Sequence, residues 1–330
     1  MKLSLIIPVF NRPQEIDELL QSLTTQSAKN FEVVIVEDGS TEKCDHIISK
    51  YSGELDIKYF FKNNSGPGQS RNYGAERAVG EYFIFFDSDV IVPETYIEIV
   101  NAELNSDYVD AFGGPDAAHP SFSPIQKAIN YSMTSFFTTG GIRGAKNSME
   151  KFHPRSFNMG ISRKVFDVTK GFSTMRFGED IDFSLRIMKE GFSTRLFNNA
   201  FVYHKRRNNF RTFYKQVNNS GVARINLFRR HPQSLKPVHL LPAIFVLGEV
   251  FLILMSIFFT TWFLLPLGVL AISMFADSSI KNKSIKVGLL SVVTSFEQLT
   301  AYGLGFLKAT WKRIIMGKDE FHNFKKNFYK

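Results

Sequence analysis

Two hydrophobic periods alternate along the first hundred residues of the chain. Leu3 to Phe10, Phe31 to Val36, Ile57 to Phe61 and Tyr82 to Phe86 are runs of strand length, rich in β-branched and aromatic residues. Amphipathic stretches of helical length separate them, at Gln14 to Thr25, Glu42 to Tyr51 and Ser70 to Val79. Strands that read as unbroken apolar runs are those covered by helices on both faces, so the pattern predicts βαβ units and a mainly parallel sheet. Ligands of such sheets bind at the carboxyl ends of the strands. The segments standing there are "PVFNRP", "VEDGS", "KNNSGPGQSRN" and "FDSDV", which are polar and turn-forming.

Past residue 110 the pattern loosens. "GGPDAAHPSFSP" and "GGIRGAKNSMEKFHPRS" read as loops, Ile125 to Phe137 as a helix, and "FNMGISRKVFD" as a short strand leading into a helix. "GEDIDFSLRIMKEG" is a helix with acids in its first turn, Ile181, Leu185 and Met188 on one face, and Gly191 as its stop. Leu240 to Ala276 is then a stretch of 37 residues whose single charge is Glu249. One membrane span takes about 20 residues, so this length suits two closely joined spans, about 240–259 and 262–278, turning near Thr260 to Trp262. A third apolar stretch, Val287 to Leu307, holds Glu297 and Gln298 and reads as a re-entrant or interfacial segment.

Charge sharpens this picture. The net charge of +9 is regional: between Gly191 and Gly248 stand ten Lys and Arg residues and no Asp or Glu. A basic stretch mixed with aromatics, "RTFYKQVNNSGVARINLFRR", fits an anionic lipid interface, and the apolar run after it argues against nucleic acid. Cations precede the first span, fill the loop at Lys281, Lys283 and Lys286, and recur in the tail at 311–330, which places all three on the cytoplasmic face. "MKLSLIIPVFNRP" is too short and wrongly flanked for a signal peptide, so the N-terminal domain is expected in the cytoplasm at the cell membrane. The one cysteine, Cys44, excludes an intramolecular disulfide.

Asp87 and Asp89 pose a chemical question, because an unpaired carboxylate at the end of a buried strand costs several kcal/mol. "PVFNRP", "VIVEDGST", "GQSRNYGAERAVGEYFIFFDSDV", "NMGISRKVF" and "RFGEDIDFSLRIMKEGF" resemble, in order and spacing, the family 2 inverting glycosyltransferases of GT-A fold, over roughly residues 1 to 230. The resemblance implies an α/β, Rossmann-like nucleotide-diphospho-sugar transferase domain at 1–230, with a nucleotide half at about 1–115 and an acceptor half at about 116–230. Membrane-associated helices at 231–310 and a basic tail at 311–330 follow.

The resemblance also implies roles. Asp89 would bind Mg²⁺ or Mn²⁺ directly, with Asp87 beside the ribose and metal, and His204 completing the metal site. Pro8, Val9, Arg12, Glu37, Asp38, Arg71, Asn72, Asp87 and Ser88 would line the nucleotide sugar. Glu37 stands where the family commonly has Asp. Asp180 would be the base that takes the acceptor's proton, with Glu179 supporting it. Each has a plainer reading: Asp87 as a helix cap, Asp38 as an Asx turn, Arg12 and Arg71 as surface cations, Glu179 and Asp180 as complements to a helix dipole, His204 as a loop residue. The expected reaction moves one sugar from a nucleoside-diphosphate donor, such as a UDP-sugar, to a lipid-linked or saccharide acceptor. A nucleotide-sugar-binding scaffold, a nucleotidyltransferase and a processive synthase are the alternatives; Gln216 followed by "VNNSG" lacks the processive enzymes' Gln-x-x-Arg-Trp motif.

Overall fold

The computed structural model describes residues 1–117, 122–139, 153–205 and 207–319. Parts of the two stretches expected as loops, residues 118–121 and 140–152, lie outside them, as do Arg206 and residues 320–330 of the basic tail, with Lys325 and Lys326. By internal contact the described chain divides into two compact units.

The first unit, residues 1–117 and 153–205, carries a seven-stranded sheet. Its strands and helices run β1 (Leu3–Val9), α1 (Pro13–Thr24), β2 (Phe31–Asp38), α2 (Asp45–Tyr51), β3 (Ile57–Lys62), α3 (Pro67–Arg77) and β4 (Tyr82–Phe86). They continue through β5 (Val90–Ile91), α4 (Tyr96–Ser106), β6 (Ala111–Gly113) and β7 (Asp116–Ala117). The second unit, residues 122–139 and 207–319, begins with α5 (Pro124–Thr134) and α6 (Phe136–Thr139). After these the chain returns to the first unit with β8 (Asn158–Ser162), α7 (Arg163–Thr169), α8 (Glu179–Lys189), β9 (Thr194–Leu196) and β10 (Val202–His204). The second unit is completed by α9 (Phe210–Arg230), α10 (Leu241–Phe258), α11 (Leu265–Asn282) and α12 (Ile285–Thr310).

The large sheet has the order β3-β2-β1-β4-β8-β6-β9. β3, β2, β1 and β4 are parallel, as the βαβ rhythm predicts, whereas β8 runs antiparallel to both β4 and β6. Alternate side chains feed two cores. Leu5, Ile7, Ile35, Ile84 and Phe86 face α1 and α4, while Ile6, Val34, Val36, Phe83 and Phe85 face α3, α7 and α8. Both faces are therefore buried, which is why β1, β2 and β4 read as unbroken apolar runs. A second sheet of three very short strands, β5-β10-β7, sits beyond the end of β4.

The second unit is helical. α5, α9, α10 and α11 all pack on α12. Residues 122–139 and 207–230, counted with the transferase domain on sequence, thus share their contacts with the C-terminal helices. The third apolar stretch is one continuous helix of 26 residues rather than a broken one. Two helical segments, Pro237–Phe258 and Thr261–Asn282, are long and apolar enough to cross a membrane, and each is little buried.

Candidate active site

Polar side chains converge at the carboxyl ends of β1, β2 and β4, where the parallel strands release their loops. Beyond β4 the chain makes a tight turn through Asp87, Ser88 and Asp89 and re-enters as β5. β10 pairs antiparallel with β5, setting His204 opposite Val90, and the Lys205 amide donates to the Asp89 carbonyl at 3.1 Å. This small sheet brings together residues 115 positions apart. Asp87, Asp89 and His204 each offer a ligand atom, all within 4.8 Å of one another. Nε2 of His204 lies 3.2 Å from Asp89 Oδ1 and 4.0 Å from Asp87 Oδ2, and its ring stacks on Phe157 at 5.1 Å.

The remaining carboxylate oxygens are held by arginines. Arg12 NH1 donates to Asp89 Oδ2 at 2.5 Å, and Arg71 NH2 to Asp87 Oδ1 at 2.5 Å. Burial works against the Arg12 cation, yet Asp89, with Glu15 and Asp87 behind it, raises its pKa overall. Asn11 sets up the first contact from a left-handed backbone (φ 51°), its side-chain oxygen accepting from the Thr41 and Glu42 amides. Two oxygens and a nitrogen thus face one point while their outer atoms are pinned, the arrangement by which surrounding groups orient metal ligands. The donor set fits a hard divalent ion that tolerates one imidazole, as Mg²⁺ and Mn²⁺ do.

A second group of acids lies at the N-terminus of α8. Gly178 takes the left-handed conformation (φ 82°) and lets the helix begin at Glu179. Asp180 is buried, accepts from Arg155 Nε at 2.6 Å and from the Ile181 amide at 2.9 Å. Burial pushes its pKa up, but Arg155, with the Ile181 amide and Arg71, outweighs this and holds the carboxyl below its ordinary range. Glu179 lies 3.6 Å from Arg71 NH1, and burial, then the neighbouring Asp180 charge, push it up to about 7. Arg71 therefore stands between the two acidic groups, nearly enclosed, with Nε and NH1 making no hydrogen bond. Gly68 permits the approach, because a β-carbon there would sit 3.2 Å from Phe172 and 3.4 Å from Glu179. Asp182, by contrast, bonds Arg186 one turn on, and Arg186 binds the Thr169 and Gly171 carbonyls.

Other residues expected at the nucleotide take different positions. Pro8 and Val9 end β1 with their side chains buried, and Ser88 is buried in the turn. Glu37 points away from Asp38 into the β2–α2 connection, where it accepts from Ser40, the Cys44 amide and thiol, and Tyr59. Its partners make it an organiser of that loop, the opposite parity from Asp38 being the physical reason. Asn72 bonds both the amide and the carbonyl of Phe172, at 2.8 Å each, and so fastens the loop before α8 to α3. Asp38 accepts from Lys62 and from the Ser65 and Gly66 amides, which fixes its carboxylate at the head of α3. An ionised carboxylate has about four lone-pair sites, so these bonds orient Asp38 without exhausting it.

Lys62 and Arg155 were not singled out from the sequence. Parallel register sets Lys62 directly opposite Asp38, a pairing that strand alignment can reveal. Nothing in the spacing of Arg155 points to Asp180. The basic run after Gly191 is also partly neutralised: Arg195 pairs with Glu103 and Asp107, and Lys205 with Glu18.

A doubly covered sheet with acids and arginines converging at its strand ends defines a transferase of GT-A-like fold. The chain belongs to glycosyl transferase family 2, whose profile matches residues 4–169. An uncharacterised glycosyltransferase of Rickettsia felis is 42% identical over 98 residues, 30% of this chain and 16% of that protein. The poly(ribitol-phosphate) beta-N-acetylglucosaminyltransferase TarS of Staphylococcus aureus is 36% identical over 114 residues, 33% of this chain and 20% of that protein. The matches thus span at most about a fifth of these two relatives. Among solved structures, the mannosyltransferase PcManGT of Pyrobaculum calidifontis, in complex with GDP-Man and Mn²⁺, aligns with 94% of this chain and 88% of its own. Its TM-score is 0.59 at 13% identity, a likeness of fold.

Proposed function

We propose that the chain is a metal-dependent, inverting transferase that moves one sugar from a nucleoside-diphosphate donor, a UDP-sugar in the first instance, to a polyprenyl-linked acceptor at the cytoplasmic face of the cell membrane. The observation that carries this reading is the convergence of Asp87, Asp89 and His204 on one point, with Asp180 held at a helix N-terminus by Arg155. Asp87, Asp89 and His204 would hold the dication, which would supply Lewis-acid neutralisation of the departing diphosphate, worth several kcal/mol.

The chain's own residues supply the rest. Arg12 and Arg71 hold the outer oxygens of Asp89 and Asp87, so the ligand set keeps its aim before donor arrives. The N-terminus of α3, headed by Asp38 and Lys62, offers a polar end for the nucleotide. Asp180 stays ionised through Arg155 and the helix dipole, ready to take the acceptor hydroxyl's proton during attack. Glu179, with its raised pKa, keeps a proton to higher pH and so can donate a hydrogen bond to the acceptor. The exposed apolar helices α10 and α11, flanked by lysines, support an acceptor carried in a membrane.

Membranes from expressing cells, incubated with labelled nucleotide sugars, test the proposal. Label that enters a lipid fraction only when Mn²⁺ or Mg²⁺ is present supports it. Release of free sugar alone, or equal transfer after chelation, refutes lipid transfer or metal dependence respectively.

A further inference from the structure

The second unit shows how deep its apolar helices can reach. α12 is its axis, and on one side α12 packs against helices that belong in water. Asn218 of α9 donates to the Ala301 carbonyl at 3.0 Å, and Thr294 donates to the Ala128 carbonyl of α5 at 3.1 Å. Gly221 and Gly305 bring α9 so near that a β-carbon on either would lie 2.2 Å from a carbonyl oxygen of the other helix. α9 carries exposed Arg211 and Lys215 near one end and Arg229 and Arg230 at the other. With Gln216, Asn218, Asn219 and Arg224 in its middle as well, such a helix is unsuited to hydrocarbon, where a central Arg or Lys costs roughly 2.5–3.5 kcal/mol. The part of α12 beside it therefore stays at the polar level too.

α10 and α11 are fastened to that same helix. A β-carbon on Gly303 would lie 2.3 Å from the Pro242 carbonyl, Phe245 meets Phe296 edge-on at 5.8 Å, and Thr300 donates to Glu249 at 3.2 Å. On the other arm, Ser278 bonds Ser291 at 2.7 Å, Gly288 abuts Phe275 and Ser279, and Asp277 accepts from Tyr131 of α5 at 2.7 Å. Only the 25 residues from 250 to 274 lie between these two sets of fastenings, and none of them is charged.

Two crossings of a hydrocarbon core about 30 Å thick need about 40 residues. Residues 250–258 and 265–274 give two arms of 9 and 10 residues, joined by a short turn at 259–264. At 1.5 Å per residue each arm reaches about 15 Å, half the core. The tip is suited to hydrocarbon: Phe258, Phe259 and Trp262 are each more than 70% exposed. Turn amides are satisfied internally, Phe259 to Met255 and Phe263 to Thr260. Lys236 stands at one root and Lys281, Lys283 and Lys286 at the other, complementary to anionic headgroups.

We infer that residues 250–274 form a hairpin that dips into one leaflet of an anionic phospholipid bilayer and turns back, so that the chain enters the membrane without crossing it. This rests on the membrane-associated reading above and replaces the two crossings that length alone predicts. α12 then lies along the membrane surface, and both ends of the hairpin return to the same side without a translocated loop.

The sole cysteine is buried, so a Cys44→Ser background makes Thr261→Cys a unique probe at the tip. Right-side-out and inverted vesicles from expressing cells are treated with a membrane-impermeant maleimide. Protection in both, with full labelling after detergent, is the expected result. Labelling only in right-side-out vesicles means that the tip emerges on the far side and overturns the inference. Labelling only in inverted vesicles means that the tip lies on the surface and overturns it equally. As a second readout, Trp311→Phe leaves Trp262 as the only tryptophan; in reconstituted vesicles its emission should be quenched most by lipids brominated deep in the chain. Failure of the full chain to float with vesicles would instead remove the membrane reading itself, and absence of lipid labelling with a protected tip would remove only the transfer reading.

Discussion

The two units bury opposite things. In the sheet unit the largest apolar side chains are hidden and charges are drawn inward, four of the carboxylates facing an arginine or lysine: Asp89 with Arg12, Asp87 with Arg71, Asp180 with Arg155, Asp38 with Lys62. In the helical unit, glycine, serine and threonine line the contacts with α12, while Phe258, Phe259, Trp262 and Ile257 face outward. A buried ion pair is weak evidence for stability, because desolvation offsets much of the attraction, so the paired acids argue for chemistry. An outward apolar surface is costly in water and neutral in lipid, so it argues for a different solvent. On the membrane-associated reading proposed above, one chain serves two environments.

The strongest blow to the sheet unit's half of this contrast is Asp180→Asn. Transfer should fall by roughly 10²–10⁴-fold, the usual contribution of a general base, while donor binding persists. Single-turnover rates beside donor affinity by calorimetry measure both; unchanged turnover would remove Asp180 from the chemistry. Next in size, Asp89→Asn should weaken Mn²⁺ binding at least on the order of 10–100-fold, the range seen even for second-sphere changes. Binding followed by Mn²⁺ paramagnetic resonance reads this without an activity assay.

The helical unit is tested by Gly305→Leu. A side chain there meets the Asn218 carbonyl at 2.2 Å, so separating α9 from α12 should cost about 1–3 kcal/mol. Proteolysis within α9 should accelerate while Mn²⁺ binding by the sheet unit is retained; loss of both together would contradict the division into units.

Finer predictions concern protons. Arg155, Arg71, Glu179 and the helix dipole all act on Asp180, and Asp116 acts on Arg155. Removing the largest counter-charge with Arg155→Met should move the acid limb of the rate profile upward, as expected when a carboxylate loses its cation; Arg155→Lys should restore it. The smallest effect is on stability. Glu179 favours its protonated form in the folded state, so its contribution is full below the ordinary 4.5 and fades as pH rises through about 7. Asp180, with its lowered pKa, behaves oppositely: its contribution is present above the ordinary carboxylate range and is lost on acidification. Metal-free Glu179→Gln should therefore gain melting temperature relative to the parent between pH 5 and 8, and a constant difference would contradict the raised pKa.

Much of the sheet was legible because its strands are long, doubly buried and separated by amphipathic helices. β1 to β4 and α1 to α3 fall within a few residues of their predicted limits. β5 and β7 were not visible, since strands of two residues carry no periodicity, whereas β10 lies in the strand-like stretch that ends at His204. Asp87 and Asp89 announced themselves by interrupting an apolar run, whereas Arg155 and Lys62 are ordinary cations until a neighbour is known. Glu37 and Asn72 have a binding look in the sequence, and in the fold their polar atoms bond nearby loops.

Local composition was enough to establish a doubly covered α/β sheet, acids at its strand ends and an apolar C-terminal stretch, because these follow from side-chain periodicity and solvation along the chain. His204 was expected beside Asp87 and Asp89 only through the family resemblance; which acid meets which arginine, the spacing of those three ligand atoms, and how little of the apolar stretch lies free of α12 required the folded coordinates. Those facts depend on distances between residues far apart in sequence, and such distances are set by strand register and helix packing, which no single segment encodes.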